Sequence, residues 1–126
     1  MRKTIQVLTG AMVLAFAGIA SANPVIDVWT CSLNEGKTVE DVEAAGKMWV
    51  EVVRRITGNN EISSSMAVSI VGDATTFKWF DTYPSHEVYA AAQTAMSNSE
   101  EYEPVGEALD AATTCTGNQL YSENVM

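Results

Sequence analysis

The most regular pattern in the chain is an apolar stripe within residues 38–57. Its members recur at the three- and four-residue spacing of one helix face. They are Val39, Val42, Ala45, Trp49, Val52, Val53 and Ile56. Thr38 followed by Asp41 forms a capping-box sequence that starts a helix, and Gly58 suits the end of one. The segment is therefore predicted to be a single amphipathic helix with one buried face.

Residues that favour β-structure dominate three further segments, at 24–33, 62–71 and 75–83. The second and third of these are separated only by a short connection that contains Gly72 and Asp73. Two β-rich segments joined in this way predict a hairpin. The first half of the domain is thus expected to run strand, helix, strand, strand.

A second helical region and a last strand complete the pattern. Ser85 suits the cap of a helix over about residues 86–96, and residues 100–112 are helical again after a short break. A final β-like stretch covers about residues 118–125. This order of elements, βαββαβ, is typical of the ferredoxin-like fold. We therefore predict an α+β domain, in which a four-stranded antiparallel sheet carries its helices on one face.

Residues 1–22 have the parts of a cleaved secretory signal peptide. Two basic residues are followed by the uncharged, apolar run 7–20, and Ala20 and Ala22 give the small-x-small cleavage pattern. The run is shorter than the roughly 20 residues of a membrane span. We therefore expect export to the periplasm or the extracellular medium, with residues 23–126 as a single soluble domain that has no membrane contact. An uncleaved N-terminal anchor is the alternative.

The charge of the mature chain disfavours anionic partners. Cleavage of the predicted leader would remove 22 of the 126 residues and leave a mature chain of 104, which is long enough for one small hydrophobic core. The leader holds two of the seven basic residues and none of the sixteen acidic ones, so the net charge changes from −9 to −11. Such an acidic surface repels phosphate backbones and anionic membranes. Nucleic-acid binding is therefore not expected.

The mature chain contains two cysteines, Cys31 and Cys115. Their spacing fits no zinc-binding or thioredoxin-type pattern, and an isolated pair in an oxidising compartment favours a disulfide. In the predicted topology the end of the first strand lies beside the start of the fourth. The topology therefore brings the two cysteines together, which supports the same disulfide independently.

Several features carry a resemblance to a known group of proteins. They are Trp29-Thr30-Cys31 on the first strand, Gly36-Lys37-Thr38-x-x-Asp41 at the start of the helix, Trp49 within it, and the strand at 77–84 before Ser85. With these features the chain resembles the small dimeric α+β-barrel proteins of the ferredoxin-like superfold. The resemblance implies a homodimer whose two sheets face each other. Known members include cofactor-independent monooxygenases, haem-degrading enzymes and stress-response proteins. No catalytic signature of an enzymatic branch is recognisable, so no family residue is carried over.

The predicted sheet itself also calls for a partner. Helices cover only one of its faces, and the other carries either Phe77, Trp79 and Asp81, or Lys78 and Phe80. Either alternative exposes a large aromatic side chain on a monomer. A second copy of the chain or a ligand would cover that surface.

Three ionisable residues are candidates for catalysis. His86 is the only histidine and could act as a general base, although a residue in the first turn of a helix is usually exposed. Asp27 lies in the middle of a strand among apolar residues. It either lines a polar cavity, pairs with a cation or points to solvent on a polar strand face. Asp81 is a similar case.

Four aromatic residues could line an apolar ligand pocket, and packing in the core is the alternative for each. They are Trp29, Trp79, Phe80 and Tyr83. A cleft shared by these rings, the two aspartates, Lys78 and His86 would be the site. No metal-ligand spacing stands out around the histidine, so neither a metal nor another cofactor is expected.

Three functions fit these observations. The first is an exported ligand-binding or structural domain that forms a homodimer, with a small apolar ligand as a candidate partner. The second is a small cofactor-independent enzyme, similar to the monooxygenases of the group, that acts on an apolar or aromatic substrate. The third is an interaction module for another exported protein. A cavity that contains an ionisable group would favour the enzyme.

Overall fold

A computed structural model describes residues 23–126, so the predicted leader lies outside the described residues. The elements in chain order are β1 (Val25–Leu33), α1 (Val39–Thr57), β2 (Ser63–Val68), β3 (Thr76–Tyr83), α2 (His86–Asn98), a 3₁₀ turn (Glu100–Tyr102), α3 (Glu103–Ala112) and β4 (Thr113–Ser122). The strands form one antiparallel sheet in the order β2-β3-β1-β4. This is the ferredoxin-like arrangement that the sequence predicts. No helix of this part of the chain is both long and apolar enough to cross a membrane.

The predicted signals begin and end the first helix. The Thr38 hydroxyl accepts a hydrogen bond from the backbone N–H of Asp41 at 3.3 Å, and the Asp41 carboxylate accepts one from the backbone N–H of Thr38 at 2.9 Å. Gly58 ends the helix at a φ of +67°, a conformation that glycine adopts without strain. The capping-box prediction and the length of α1 are thus confirmed.

The start of β4 differs from the prediction. The strand begins at Thr113, directly after α3, rather than near residue 118. Residues 113–117 carry no apolar alternation, and pairing with β1 is what makes them a strand. The Asn34 side-chain amide, at the end of β1, donates to the carbonyl groups of Asp110 and Ala111 at 2.9 and 3.1 Å, where α3 ends. This tie allows the helix to pass into the strand without a loop.

The helices α1, α2 and α3 pack on the same face of the sheet. Residues at odd positions of β1 and β3 lie beneath them, and the even positions point away. The helix-covered face therefore carries Phe77, Trp79 and Asp81, and the open face carries Lys78 and Phe80. The sequence allowed either set to face away from the helices, and in the structure it is Lys78 and Phe80 that do so.

Cys31 and Cys115 are joined by a disulfide, as predicted. They are register partners on β1 and β4, beside a local shift in the register after Thr30. Cys31 is buried in the core and Cys115 is exposed. The bond closes a loop with a sequence separation of 84 residues, so it links the first and last strands of the domain.

Reduction of this disulfide should destabilise the fold. Restricting the unfolded chain by a loop of this length is worth about 4 kcal/mol. The Cys115→Ser variant changes only an exposed side chain and should lose a similar amount. Urea unfolding of the oxidised, reduced and variant proteins measures the effect. The same midpoint in the oxidised and reduced proteins would show that the bond does not stabilise the domain.

Candidate functional site

A cavity of about 370 Å³ lies between the helix-covered face of the sheet and the helices. It is lined by Asp27, Trp29, Cys31, Trp49, Trp79, Asp81, Tyr83, Gln93, Met96, Tyr102, Leu109, Asp110, Thr113 and Cys115. Its volume falls within the usual range for small-molecule sites, and most of the lining is apolar or aromatic. The two strands that contribute most to it are the central pair of the sheet, β1 and β3.

Two aspartates face each other across this central pair. Asp27 on β1 is the register partner of Asp81 on β3, and directly opposite residues of antiparallel strands lie on the same face. Both side chains therefore lie under the helices, where Asp27 is 2 % exposed and Asp81 is 6 % exposed. They are the only buried charged residues within residues 23–126.

Asp81 is held by two hydrogen bonds that use the same oxygen. The Trp79 indole Nε1 donates to Oδ1 at 2.6 Å, and the Ser64 hydroxyl donates to it at 2.7 Å. No side chain among residues 23–126 donates to Oδ2. In this part of the chain every fully buried side-chain nitrogen or oxygen has a partner. Oδ2 is therefore not fully enclosed, and Asp81 is one of the residues that line the cavity.

Asp27 is held from the neighbouring edge strand. The Asn118 side-chain amide on β4 donates to its Oδ1 at 3.1 Å, and Trp29 lies two residues along β1 on the same face of the sheet. Each carboxylate thus has an indole two positions away on its own strand: Trp29 follows Asp27, and Trp79 precedes Asp81. This spacing follows from the two-residue alternation of a strand, which places Asp27 beside Trp29 and Asp81 beside Trp79.

No lysine, arginine or histidine of residues 23–126 lines the cavity. Burial in this cation-free environment raises the pKa of Asp81 to about 7. The hydrogen bonds from Ser64 and Trp79 lower this pKa, whereas repulsion from Asp27 raises it further. Burial also raises the pKa of Asp27, against the lowering effect of Asn118 and Trp29. The pair is therefore expected to carry less than two negative charges near neutral pH.

Aromatic rings form much of the remaining wall. Trp49 of α1 packs edge-on against Tyr83 of β3, with ring centroids 6.3 Å apart. Burial raises the pKa of Tyr83 and of Tyr102, so both phenols stay protonated. The Trp79 indole passes directly beneath Gly46 of α1, where a Cβ atom would lie only 2.8 Å from its ring. The helix can approach this indole because residue 46 has no side chain.

The structure brings together five of the predicted site residues at one cavity. They are Asp27, Asp81, Trp29, Trp79 and Tyr83. The solvent-facing interpretation of the two aspartates is wrong, because the helices cover the face of the sheet to which both belong.

The other predicted residues lie elsewhere. Phe80 and Lys78 are on the open face of the sheet. His86 is exposed in the first turn of α2 and does not line the cavity. A site that combines the histidine with the aspartates therefore does not form within the described chain.

Several residues that line the cavity or hydrogen-bond to its aspartates were not predicted as site residues. Trp49 belongs to the apolar stripe of α1, which indicates only that it is buried. Ser64, Asn118 and Tyr102 reach the site from three other elements, and no local pattern marks them. The available signal was the sequence Val25-x-Asp27-x-Trp29, in which a carboxylate alternates in step with apolar residues on one strand face.

Three larger depressions lie on the surface. The first, of about 640 Å³, lies between α1 and β2 and is lined in part by Lys47, Arg54 and Arg55. The second, of about 740 Å³, is on the open face of the sheet, and the third, of about 480 Å³, lies beside the connection between β2 and β3. None of the three includes either of the two buried carboxylates. The cavity beneath the helices is therefore the candidate site.

The raised pKa of Asp81 predicts that the protein loses stability as the pH rises. The folded state binds the proton more tightly than the unfolded state, whose carboxyl pKa is near 3.8. The stabilising free energy that the proton on Asp81 contributes is fully present below pH 4 and is lost as the pH approaches 7. The free energy of unfolding then changes by at most about 1.4 kcal/mol per pH unit. The free energy of unfolding should therefore fall between pH 5 and pH 7.5.

Asp81→Asn tests this assignment. The amide oxygen can still accept from Trp79 and Ser64, so the variant should be more stable than the wild type at pH 7.5 and show a flatter pH profile. Urea unfolding at several pH values measures it, with Glu107→Gln as a control at an exposed carboxylate on α3. An unchanged profile in Asp81→Asn would contradict the assignment.

The comparisons with known proteins identify the fold. No protein-family model matches the chain, and no curated protein matches it by sequence. Among solved structures, a NIPSNAP family protein from Agrobacterium tumefaciens superposes with a TM-score of 0.61 at 12 % identity, over 82 % of this chain and 88 % of that one. SnoaB, a cofactor-independent oxygenase from Streptomyces nogalater, gives 0.57 at 11 % identity, over 83 % and 97 %.

An uncharacterized NIPSNAP-like domain protein from Burkholderia xenovorans gives a TM-score of 0.58 at 8 % identity, over 81 % of this chain and 86 % of that one. At such identities these likenesses show the fold alone. The resemblance noted in the sequence is confirmed at that level: the chain has the ferredoxin-like α+β fold, shared with an oxygenase and with NIPSNAP proteins.

Proposed function

We propose that the chain is an exported protein that binds a small, largely apolar molecule in the cavity between the helices and the sheet. The observation that carries the proposal is the pair of buried carboxylates, Asp27 and Asp81, on the wall of that cavity. Removing a charged group from water is costly, and apolar residues of similar size would serve the core better. A function for these groups toward a bound molecule explains their position.

The cavity itself argues against a purely structural domain. Protein interiors are closely packed, and a domain of this size contains few voids larger than a water molecule. A structural domain would fill this space with side chains. Here a space of about 370 Å³ is left beside the buried rings of Trp49 and Tyr83, and Asp27 and Asp81 are among the residues that line it.

One observation favours a second candidate, a cofactor-independent enzyme that uses Asp81 as a general base. A pKa of about 7 suits a group that takes up and releases a proton near neutral pH. Oδ2 is the atom that would accept a proton from a bound substrate. The fold is shared with SnoaB, which is described as a cofactor-independent oxygenase. Turnover that Asp81→Asn abolishes while binding persists would distinguish this enzyme from a binding protein.

Export is supported by two features of different origin. The leader at residues 1–22 has the parts of a signal peptide. The disulfide between Cys31 and Cys115 is typical of proteins in oxidising compartments. The two features together favour the periplasm or the extracellular medium as the place where the cavity meets its ligand.

The open face of the sheet supports a homodimer. Ile26, Val28, Phe80 and Tyr121 line a continuous depression there, and Tyr121 is 50 % exposed. Exposed apolar surfaces of this kind usually meet a partner. A second copy of the chain, placed with its sheet against this one, would cover both surfaces. The cavity lies on the other side of each sheet and would remain separate in each protomer.

Filling the cavity should prevent binding. Gln93 of α2 lines it, so Gln93→Phe should lower the affinity for an uncharged fluorescent probe, such as N-phenyl-1-naphthylamine, by about 10-fold or more. Thr94→Phe adds the same ring to the exposed side of the same helix and should leave binding unchanged. Fluorescence titration measures both. Equal affinities of the two variants would place the probe outside the cavity.

A charge at the centre of the open face should separate the proposed dimer. Phe80→Asp is expected to weaken dimerisation by about 100-fold or more, because it buries an unpaired carboxylate in the interface. Ala111→Asp, on an exposed position of α3, is the matched control and should not affect it. Sedimentation measures the association, and circular dichroism checks that each variant is folded. A wild-type protein that sediments as a stable monomer would rule out the dimer.

A further inference from the structure

We propose that the ligand of this cavity is a small organic cation, an ammonium group attached to an apolar or aromatic body. The inference rests on the proposed function, since it takes the cavity as the binding site and adds the class of ligand. It is carried by the charges around the cavity, by the hydrogen-bonding capacity left on Asp81 and by the aromatic wall.

Within residues 23–126, the charged side chains that line the cavity are all acidic. Asp27 and Asp81 come from the sheet, and Asp110 comes from α3. The cations of residues 23–126 lie elsewhere: Lys47, Arg54 and Arg55 line the groove beside β2, Lys78 is on the open face, and Lys37 and His86 are exposed. The fold therefore supplies no positive charge to the buried pair. A cationic ligand would supply it.

The hydrogen bonds around Asp81 leave one oxygen for a donor. Trp79 and Ser64 both donate to Oδ1, whereas Oδ2 has no donor among residues 23–126, is not fully buried and belongs to a residue that lines the cavity. An ammonium group offers three N–H donors and no acceptor, which matches a site whose charged groups are acceptors only. A carboxylate or phosphate ligand would be repelled, and an alcohol could offer only one weaker hydrogen bond.

The aromatic lining suits the same class of ligand. Indole and phenol rings attract cations to their faces and at the same time cover an apolar body. Trp29, Trp49, Trp79 and Tyr83 provide four such rings around one small cavity. The net charge of the mature chain, −11, also raises the local concentration of cations at low ionic strength.

A bare metal ion fits the site less well. Hard divalent cations take six or more oxygen ligands, and within residues 23–126 no cluster of three or more acidic, histidine or cysteine side chains is arranged to hold a metal. Most of the cavity wall consists of rings and aliphatic groups that cannot act as ligands. The combination of few carboxylates and many rings favours an organic cation.

Three probes of similar shape and different charge test the proposal. 2-Phenylethylamine, 2-phenylethanol and phenylacetate are titrated into the oxidised protein at pH 8, and binding is followed by calorimetry and by tryptophan fluorescence. The amine should bind at least about 10-fold more tightly than the alcohol, because it gains a charge-assisted hydrogen bond, and phenylacetate should bind most weakly. Asp81→Asn should remove most of the difference between amine and alcohol, whereas the control Glu107→Gln should preserve it.

The outcomes separate the class of ligand from the existence of the site. Equal affinities for the amine and the alcohol, or tighter binding of phenylacetate, would overturn the cationic ligand and leave the cavity as a site for neutral or anionic molecules. Failure of the amine to bind, with the uncharged fluorescent probe still bound in the cavity, would also overturn it. Failure of all probes, including the uncharged one, would count against the proposed function itself.

Discussion

The pairing of β1 with β3 is the interaction on which the rest of the structure depends. These are the central strands of the sheet, and their register places Val25, Asp27, Trp29 and Cys31 opposite Tyr83, Asp81, Trp79 and Phe77. A slip of one residue would move every one of these side chains to the other face. The core, the disulfide and the carboxylate pair would then be lost together, so one register determines both stability and site.

Much of the fold could be predicted from the sequence, because the signals involved are local. The cap at Thr38, the apolar stripe of α1 and Gly58 act within a few residues of one another. The start of β4 could not be predicted in this way, since Thr113 and its neighbours become a strand only by pairing with β1. The disulfide is an intermediate case: no local pattern indicates it, but the order of the elements does.

The site could be predicted only in part, for a related reason. Alternation along a strand shows that Asp27 shares a face with Val25 and Trp29, but it does not show which face the helices cover. That choice depends on contacts between distant segments, such as the close approach of α1 at Gly46 to the Trp79 indole. The same contact fixes the ring whose N–H binds Asp81, so an apolar packing detail positions a polar group.

The proposed cation would also change the energetics of the empty protein. With no ligand, deprotonation of the buried Asp81 near neutral pH places a charge away from water and opposes folding, and its proximity to Asp27 adds to this cost. A bound ammonium group would favour the ionised form and remove that opposition, so binding and deprotonation would strengthen each other. A ligand that binds only the folded state stabilises it by an amount that rises with the logarithm of the ligand concentration once that concentration exceeds the Kd. The disulfide between β1 and β4 stabilises the fold in a different way, because it constrains the unfolded chain. Its contribution does not involve the carboxylate pair, so the ionisation of that pair can still change with ligand and pH.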